Sequence, residues 1–368
     1  MIGSKERQVP KGMEGFQPSI PFAEINEAPR PQGGASRRRN FVYVVSLGPA
    51  YKAGLAGHVP VREEIWMSQK IKKVAVIGTG VLGTQISMLS AYTGYKVSVY
   101  DTIAGAFDDT YKKLSADFKA KEINPFIPWE HWEKCRAAIA FTTDLGDALK
   151  EADLVVEAIT EDLEAKRKVF KQLGEAAPPK AILASNSSSL PISRMEQSSG
   201  RPERCINIHF YSPLQGMIMV DLMPGTKTLS EVMRTAEEWV CSLGCIPLTV
   251  KKEILGFCFN SVWRAVKKQC LYMWANDFVD FRDIDRAWRI FTGMKVGPFA
   301  LMDSVGLDTV YNIEMVYYGD SKDPKDKPPE ALMGKIKKGE LGVKSGKGFY
   351  VYPNPEFLDP DFLSPKKI

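Results

Sequence analysis

The chain has 368 residues, enough for two domains and a sizeable core, and its 49 Lys/Arg against 44 Asp/Glu leave a net charge of only +5. Three of those charges lie before Met67, so the remainder carries no basic stripe and composition excludes nucleic acid as an expected partner. No apolar run is long enough to span a bilayer: residues 41–60 come closest and are broken by Lys52, His58 and several glycines, so no membrane role is expected.

Residues 1–66 contain seven prolines, eight glycines and the run Arg37-Arg38-Arg39, with no lasting hydrophobic period, and are expected to be disordered. They lack the apolar core of a signal peptide, and their glutamates do not suit a transit peptide. Met67 directly precedes the first ordered unit. We therefore expect it to be an alternative start, or the first 66 residues to be dispensable; a 67–368 protein that failed to fold would refute this.

Residues 73–77 form an apolar strand that runs into Gly78-Thr79-Gly80-Val81-Leu82-Gly83. Ile86 and Leu89 then give a helical packing face, Val97 and Val99 alternate in a second strand, and Asp101 closes it. That order is what a pyrophosphate-binding βαβ unit requires. Gly78 permits the tight turn, Gly80 lets backbone approach the phosphates, and Gly83 lets helix and strand pack closely. The helix start over Thr79, Val81 and Leu82 presents unpaired N–H groups and a partial positive charge. A carboxylate at Asp101 binds a ribose 2′-hydroxyl but repels a 2′-phosphate, and neither Thr102 nor Ile103 offers a cation. NAD is therefore expected over NADP.

Apolar strands follow at 154–158, 181–185, 206–209 and 219–222, with a helix over 161–176. The alternation predicts an α/β, Rossmann-type, doubly wound parallel sheet over residues 67–252. After Gly256 the texture becomes helical (257–275, 281–291, 307–317), which predicts a separate all-α domain over 253–368. Residues 320–329 read as a charged, Pro-rich loop. The six cysteines, at 135, 205, 241, 245, 258 and 270, form no C-x-x-C pair and read as reduced thiols of an intracellular protein. The cytoplasm is the expected compartment, with mitochondrion and peroxisome left open. Three histidines do not suggest a metal site. Asn186-Ser187-Ser188 matches a glycosylation sequon, without other signs of secretion.

Chemistry-bearing residues come late in the sheet region. Ser185-Asn186-Ser187-Ser188-Ser189 follows a strand, and in this topology strand C-termini face the cofactor crevice. By spacing alone the run reads equally as a helix N-cap. His209 ends the next strand, where a lone histidine is more often structural. Asp221 lies inside an apolar strand, where an acid is costly unless paired, and pairing with His209 would solve that. Asn260 begins the first helix of the α-domain and reads equally as a packing residue.

Together these residues resemble the L-3-hydroxyacyl-CoA dehydrogenase family, which includes λ-crystallin-like and carnitine dehydrogenases. The resemblance covers about residues 71–352. It includes the glycine turn, Val155-Val156-Glu157-Ala158-Ile159, the Ser-Asn-x-Ser-Ser run, His-Phe-x-x-Pro, Gly-Phe-x-x-Asn, Gly297-Pro298-Phe299 with Asp303, Gly306-Leu307-Asp308 and residues 344–350. It implies a C-terminal domain of the 6-phosphogluconate dehydrogenase C-terminal-like type and a homodimer formed through it, where Trp263, Leu271, Trp274, Trp288, Ile290 and Phe291 are available. It also implies roles: His209 as general base for the 3-hydroxyl of an (S)-3-hydroxyacyl-CoA, Asp221 orienting it, and Ser188 and Asn260 binding substrate. Glu161, Lys166, Ser188, Ser212 and Lys344 would contact NAD, although Glu161 and Lys166 read as a solvated helix face and Lys344 as a surface lysine. The departures are specific. Asp221 stands where the family has Glu, so its contact with His209 must close by backbone movement or be longer. Ser212 replaces Asn, and Ser261 replaces Arg. The segment after Asp101 is short and offers Lys112, Lys113, Lys119 and Lys121 rather than an evident CoA site. A free 3-hydroxy acid dehydrogenase of the gulonate or carnitine type, a polyketide or other secondary-metabolism dehydrogenase, and a non-catalytic crystallin-like or scaffold protein remain as alternative readings.

Overall fold

The computed structural model describes residues 70–365 except 121, 122, 124 and 217. The expectations for residues 1–66 and Met67, and the candidate Lys121, lie outside the described residues.

The first strand sets the layering. In β1 (Lys73–Ile77) Val74 and Val76 point into one hydrophobic core, while Ala75 and Ile77 point into another. A strand buried on both faces needs helices on both sides, and the next elements supply them. They are α1 (Val81–Tyr92), β2 (Lys96–Tyr100), α2 (Ala106–Ala120), α3 (Trp129–Ala137), β3 (Ile139–Thr142), α4 (Leu145–Leu149), β4 (Leu154–Glu157), α5 (Leu163–Ala176), β5 (Ile182–Ser185), β6 (Cys205–Phe210), β7 (Met219–Pro224), α6 (Ser230–Ser242) and β8 (Ile246–Thr249).

Among the described residues these strands form one sheet in the order β3-β2-β1-β4-β5-β6-β7-β8. Strand order reverses between β1 and β4, which opens a crevice beyond their C-terminal ends. The sheet is Rossmann-like and mostly parallel, with one correction to the expectation: β7 runs antiparallel to β6, and β8 is parallel to β7. The cause is the connection over 211–218, which is shorter than the roughly dozen residues that a parallel crossover needs. The hairpin matters for the site, because its register sets His209 directly opposite Asp221.

The C-terminal part is helical: α7 (Phe259–Ala275), α8 (Phe281–Thr292), α9 (Pro298–Val305), α10 (Leu307–Ser321) and α11 (Glu330–Lys337). Its core gathers Leu271, Phe299, Met302, Phe349 and Tyr350. Two buried aspartates hold it together. Asp285 accepts from the Phe299 and Ala300 N–H groups at 2.8 and 3.0 Å, satisfying the start of α9 from a different helix. Asp303 accepts from the Phe349 and Tyr350 N–H groups, both at 2.8 Å, pinning the 344–350 turn. Burial pushes each carboxyl up to about 6 against those hydrogen bonds. The stretch over 320–329 is not all loop: α10 runs on to Ser321, and a 3-10 turn covers Pro324–Asp326.

Candidate active site

The nucleotide end is built from glycine geometry. Gly78 has φ +98°, and a Cβ there would lie 2.7 Å from the Ala158 carbonyl oxygen. A Cβ on Gly83 would lie 2.0 Å from the Gly78 carbonyl oxygen, so α1 can sit this close to the turn only with glycine. At Gly80 the finding is opposite: a Cβ would have no atom within 4 Å. Gly80 N-caps α1 with no side-chain hydrogen bond, so the first-turn N–H groups face open space suited to an anion. Asp101 Oδ2 accepts from the Thr79 N–H at 2.9 Å and the Thr79 hydroxyl at 2.7 Å. Its other oxygen takes only a longer bond from the Ile103 N–H at 3.2 Å, leaving acceptor capacity for ribose hydroxyls. These residues fit NAD, and NAD is the cofactor.

Beneath the crevice lies a buried ion pair, Lys166 Nζ to Glu157 Oε1 at 2.6 Å. Glu157 also accepts from the Ser185 hydroxyl at 2.7 Å and the Ile159 N–H at 2.8 Å, so its oxygens are satisfied. Lys166 is therefore fully buried on α5, not on a solvated face. Glu161 lies 3.4 Å from Lys166 and receives the Ser187 hydroxyl, the Ser189 N–H and the Ser189 hydroxyl on Oε1. Burial would raise the Glu161 carboxyl, but the Ser187 bond, Lys166 and the Ser189 bonds outweigh it and hold the group below its ordinary value.

The reactive-looking line runs from the loop after β5 across β6 to β7. The Ser188 hydroxyl is 3.0 Å from His209 Nε2, and His209 Nδ1 is 3.2 Å from Asp221 Oδ2. A carboxylate only accepts, so Nδ1 carries the hydrogen and Nε2 presents a lone pair toward Ser188 and the crevice. Asp221 is completely buried, and its short side chain leaves the imidazole contact at the long end of the hydrogen-bond range. Two other donors fill the remaining capacity: the Tyr211 hydroxyl on Oδ2 at 2.5 Å and the Cys258 N–H on Oδ1 at 3.3 Å. The imidazole is held between rings. Phe257 stacks on it at 4.8 Å and 13°, and Tyr211 meets it edge-on at 4.4 Å. Phe257 itself has φ +53°, a left-handed conformation unusual for a bulky residue, at the turn into α7.

Of this line Ser188 reaches the wall of a cleft of about 570 Å³ between the strand ends and the helices, with His209 and Asp221 set behind it. Leu82, Glu161, Lys166, Ser188 and Asn260 all line it, so the structure brings together residues that are remote in sequence. Ser212 and Lys344, like Asp101 and His209, are not among the residues of the cleft wall. Ser212 is exposed, while Lys344 Nζ pairs with Asp308 at 2.6 Å. Among the α2 lysines, Lys119 lies over the Trp129 ring at 5.2 Å. Asn186 of the sequon is buried and accepts the Phe210 N–H at 2.8 Å, so it is a structural brace rather than an exposed acceptor. Sequence reasoning missed Tyr211, Phe257, Cys258 and the buried, cleft-lining Lys267. Tyr211 had a usable signal, being two residues from His209 and hence on its side of the strand. Phe257 belongs to the Gly-Phe-x-x-Asn motif, but its contact with His209, like that of Cys258 with Asp221, arises only through the packing of α7 on the hairpin.

Comparison with known proteins agrees with this geometry. Residues 73–254 match the 3-hydroxyacyl-CoA dehydrogenase NAD binding domain, and residues 256–352 match the 3-hydroxyacyl-CoA dehydrogenase C-terminal domain. A probable 3-hydroxybutyryl-CoA dehydrogenase of Deinococcus radiodurans is 33% identical over 287 residues, covering 76% of this chain and all of that protein. The mitochondrial hydroxyacyl-coenzyme A dehydrogenase of Sus scrofa is 31% identical, over 77% of this chain and 91% of its own length. A solved diketoreductase, described as acting on dicarbonyl compounds, is 35% identical with a TM-score of 0.69, over 77% of this chain and all of its own. The glycine turn, the Ser-His-Asp line and the paired domain matches lead to one conclusion: the chain belongs to the 3-hydroxyacyl-CoA dehydrogenase family of NAD-dependent oxidoreductases.

Proposed function

We propose that the chain oxidises the 3-hydroxyl of an (S)-3-hydroxyacyl-CoA, or a related 3-hydroxy thioester, to the 3-keto product, reversibly. The observation that carries this reading is the Ser188–His209–Asp221 line, whose Ser188 end lines the same cleft as Asn260. His209 Nε2 takes the hydroxyl proton, and Asp221 stabilises the imidazolium through Nδ1. Bound NAD supplies the acceptor for the C3 hydride. Ser188 and Asn260 hold the oxygen that becomes the carbonyl, and Asp101, Glu161 and the turn over 78–83 hold the dinucleotide. In reverse, His209 returns the proton. Replacing His209 by Ala is expected to lower kcat by about 10²–10⁴-fold while NAD still binds, as read by NADH absorbance and calorimetry. Full turnover in that variant would refute the mechanism.

A second reading is favoured by Lys267, which lines the cleft two helical turns beyond Asn260 on the same face of α7 and is paired with Glu314 at 2.9 Å. A free 3-hydroxy acid would compete with Glu314 for that ammonium, and the 35% identical diketoreductase widens the range of carbonyl substrates to test. A panel of acetoacetyl-CoA, free 3-keto acids and dicarbonyls, assayed by NADH consumption, separates the readings by kcat/KM. NAD binding without turnover on any of them would favour the non-catalytic alternative. The helical part leaves Val262, Tyr272, Phe278, Ile290 and Phe291 exposed, and we assign this apolar surface to a homodimer; a monomeric mass in light scattering would count against it.

A further inference from the structure

We propose that Tyr211 is a positioning residue of the reaction: its phenol shares Asp221 with His209, holds the short carboxylate in place, and makes it a weaker acceptor for the imidazole. This rests on the reading of His209 as the base.

The geometry is specific. Tyr211 OH and His209 Nδ1 converge on one atom, Asp221 Oδ2, and the phenol makes the shorter contact, 2.5 Å against 3.2 Å. A carboxylate oxygen that receives a short bond from a phenol has less charge to offer a second donor. The phenol also faces α7: the Phe259 ring meets the Tyr211 ring edge-on at 6.0 Å. Tyr211 thus ties the carboxylate behind the base to the first turn of the helix that carries Asn260, and links proton transfer to substrate placement. With a longer acid, the carboxylate could approach the imidazole without help. With Asp221, the oxygen is reached only at the long end of hydrogen-bond range, and Tyr211 and the Cys258 N–H fix where it sits.

Few ionisable groups surround the pair. Tyr211 and Asp221 come from the hairpin and Cys258 from the turn into α7, while Glu161, Lys166, Lys267 and Tyr317 line the neighbouring cleft. Lys166 is matched by Glu157 and Lys267 by Glu314, so Tyr211 is the group whose removal changes the field at His209 most directly. Removing the phenol strips one donor from Asp221 while the Cys258 N–H still fixes the carboxylate, so its hold on the imidazolium strengthens and the pH at which His209 gives up its proton rises. Oxidation requires neutral His209, so the acid limb of its rate profile moves the same way.

The test is Tyr211→Phe in the full chain, read two ways. We expect the acid limb of kcat/KM for oxidation to move up by about 0.5–1 pH unit, a fraction of the energy of one charge-assisted hydrogen bond. We expect the His209 imidazole, followed by NMR in a chain with only three histidines, to move equally. At pH below the new limb this is about a three- to tenfold loss of kcat/KM, recovered at higher pH. Tyr211→Met, which keeps bulk without a hydroxyl, replaces the Phe variant if that is not folded. An imidazole titration unchanged in a folded variant overturns the proposal. If the imidazole moves while the rate profile does not, His209 is not the base; the role of Tyr211 in the reaction then falls together with that reading, and the NMR result identifies which of the two failed.

Discussion

At the scale of single residues, the site consists of buried charges whose partners are supplied by other elements. Asp221 is the clearest case. Its place inside an apolar strand marks it in the sequence as an acid needing a partner, and His209 is that partner across the ladder. Lys166 is the contrary case. Its sequence context is an ordinary charged helix, yet the side chain is swallowed by the strand ends and neutralised by Glu157. Replacing Lys166 by Met is expected to destabilise the fold by about 3–5 kcal/mol, because Glu157 would remain buried and unpaired. A denaturation midpoint within error of wild type would show that Glu157 finds another partner. Asp221→Asn is expected to lower kcat far more than it raises KM, since the carboxamide can no longer stabilise the imidazolium; equal changes in both would point to substrate binding instead.

At the scale of elements, the glycine turn and the β6–β7 hairpin do different work. In the turn, Gly78 and Gly83 are required by packing, while Gly80 borders open space, where we propose the dinucleotide lies. Gly83→Ala sets a methyl against the Gly78 carbonyl and is expected to lower stability by about 1–3 kcal/mol, as overpacking does. Gly80→Ala meets no protein atom and is expected to leave the melting temperature nearly unchanged while weakening NAD binding several-fold. Calorimetric Kd and thermal melts of the two variants separate the effects, and a large loss of stability in Gly80→Ala would contradict the assignment. From sequence the hairpin reads as two more parallel strands, because an apolar run of four to six residues carries no direction. Its antiparallel pairing is decided by a short connection, and from that pairing come the cross-strand position of Asp221 and the placing of Tyr211 beside it.

At the scale of the whole molecule, sheet and helices form the cleft jointly, and the helical part has its own dependence on pH. Asp285 and Asp303 titrate near 6 when folded, above the ordinary aspartate value near 3.8. Between those values the folded chain binds protons that the unfolded chain does not. Each group therefore lowers stability as pH rises through 6 and restores it as pH falls toward 5, by about 1 kcal/mol per group between pH 7 and 5. The urea midpoint is expected to rise over that descent. It should fall again only at lower pH, where Glu340, held at about 2 by Lys347 and Lys335, takes up its proton. A midpoint that drops steadily from pH 7 to 5 would contradict the account.

Local pattern was enough to identify the βαβ unit, the preference for NAD, the change to helix after Gly256, and Ser188, His209, Asp221 and Asn260 as candidates. Each of these rests on neighbours in sequence: glycine spacing, a two-residue period, an acid at a strand end, a polar residue at the start of a helix. Tertiary structure alone decided the direction of β7, the burial of Lys166, the pairing of Lys344 with Asp308, and the Tyr211 and Phe257 contacts around the imidazole. Those depend on which groups are brought within about 3–5 Å by strand pairing and helix docking, and distances of that kind are fixed by the closing of the chain on itself, not by the order of its residues.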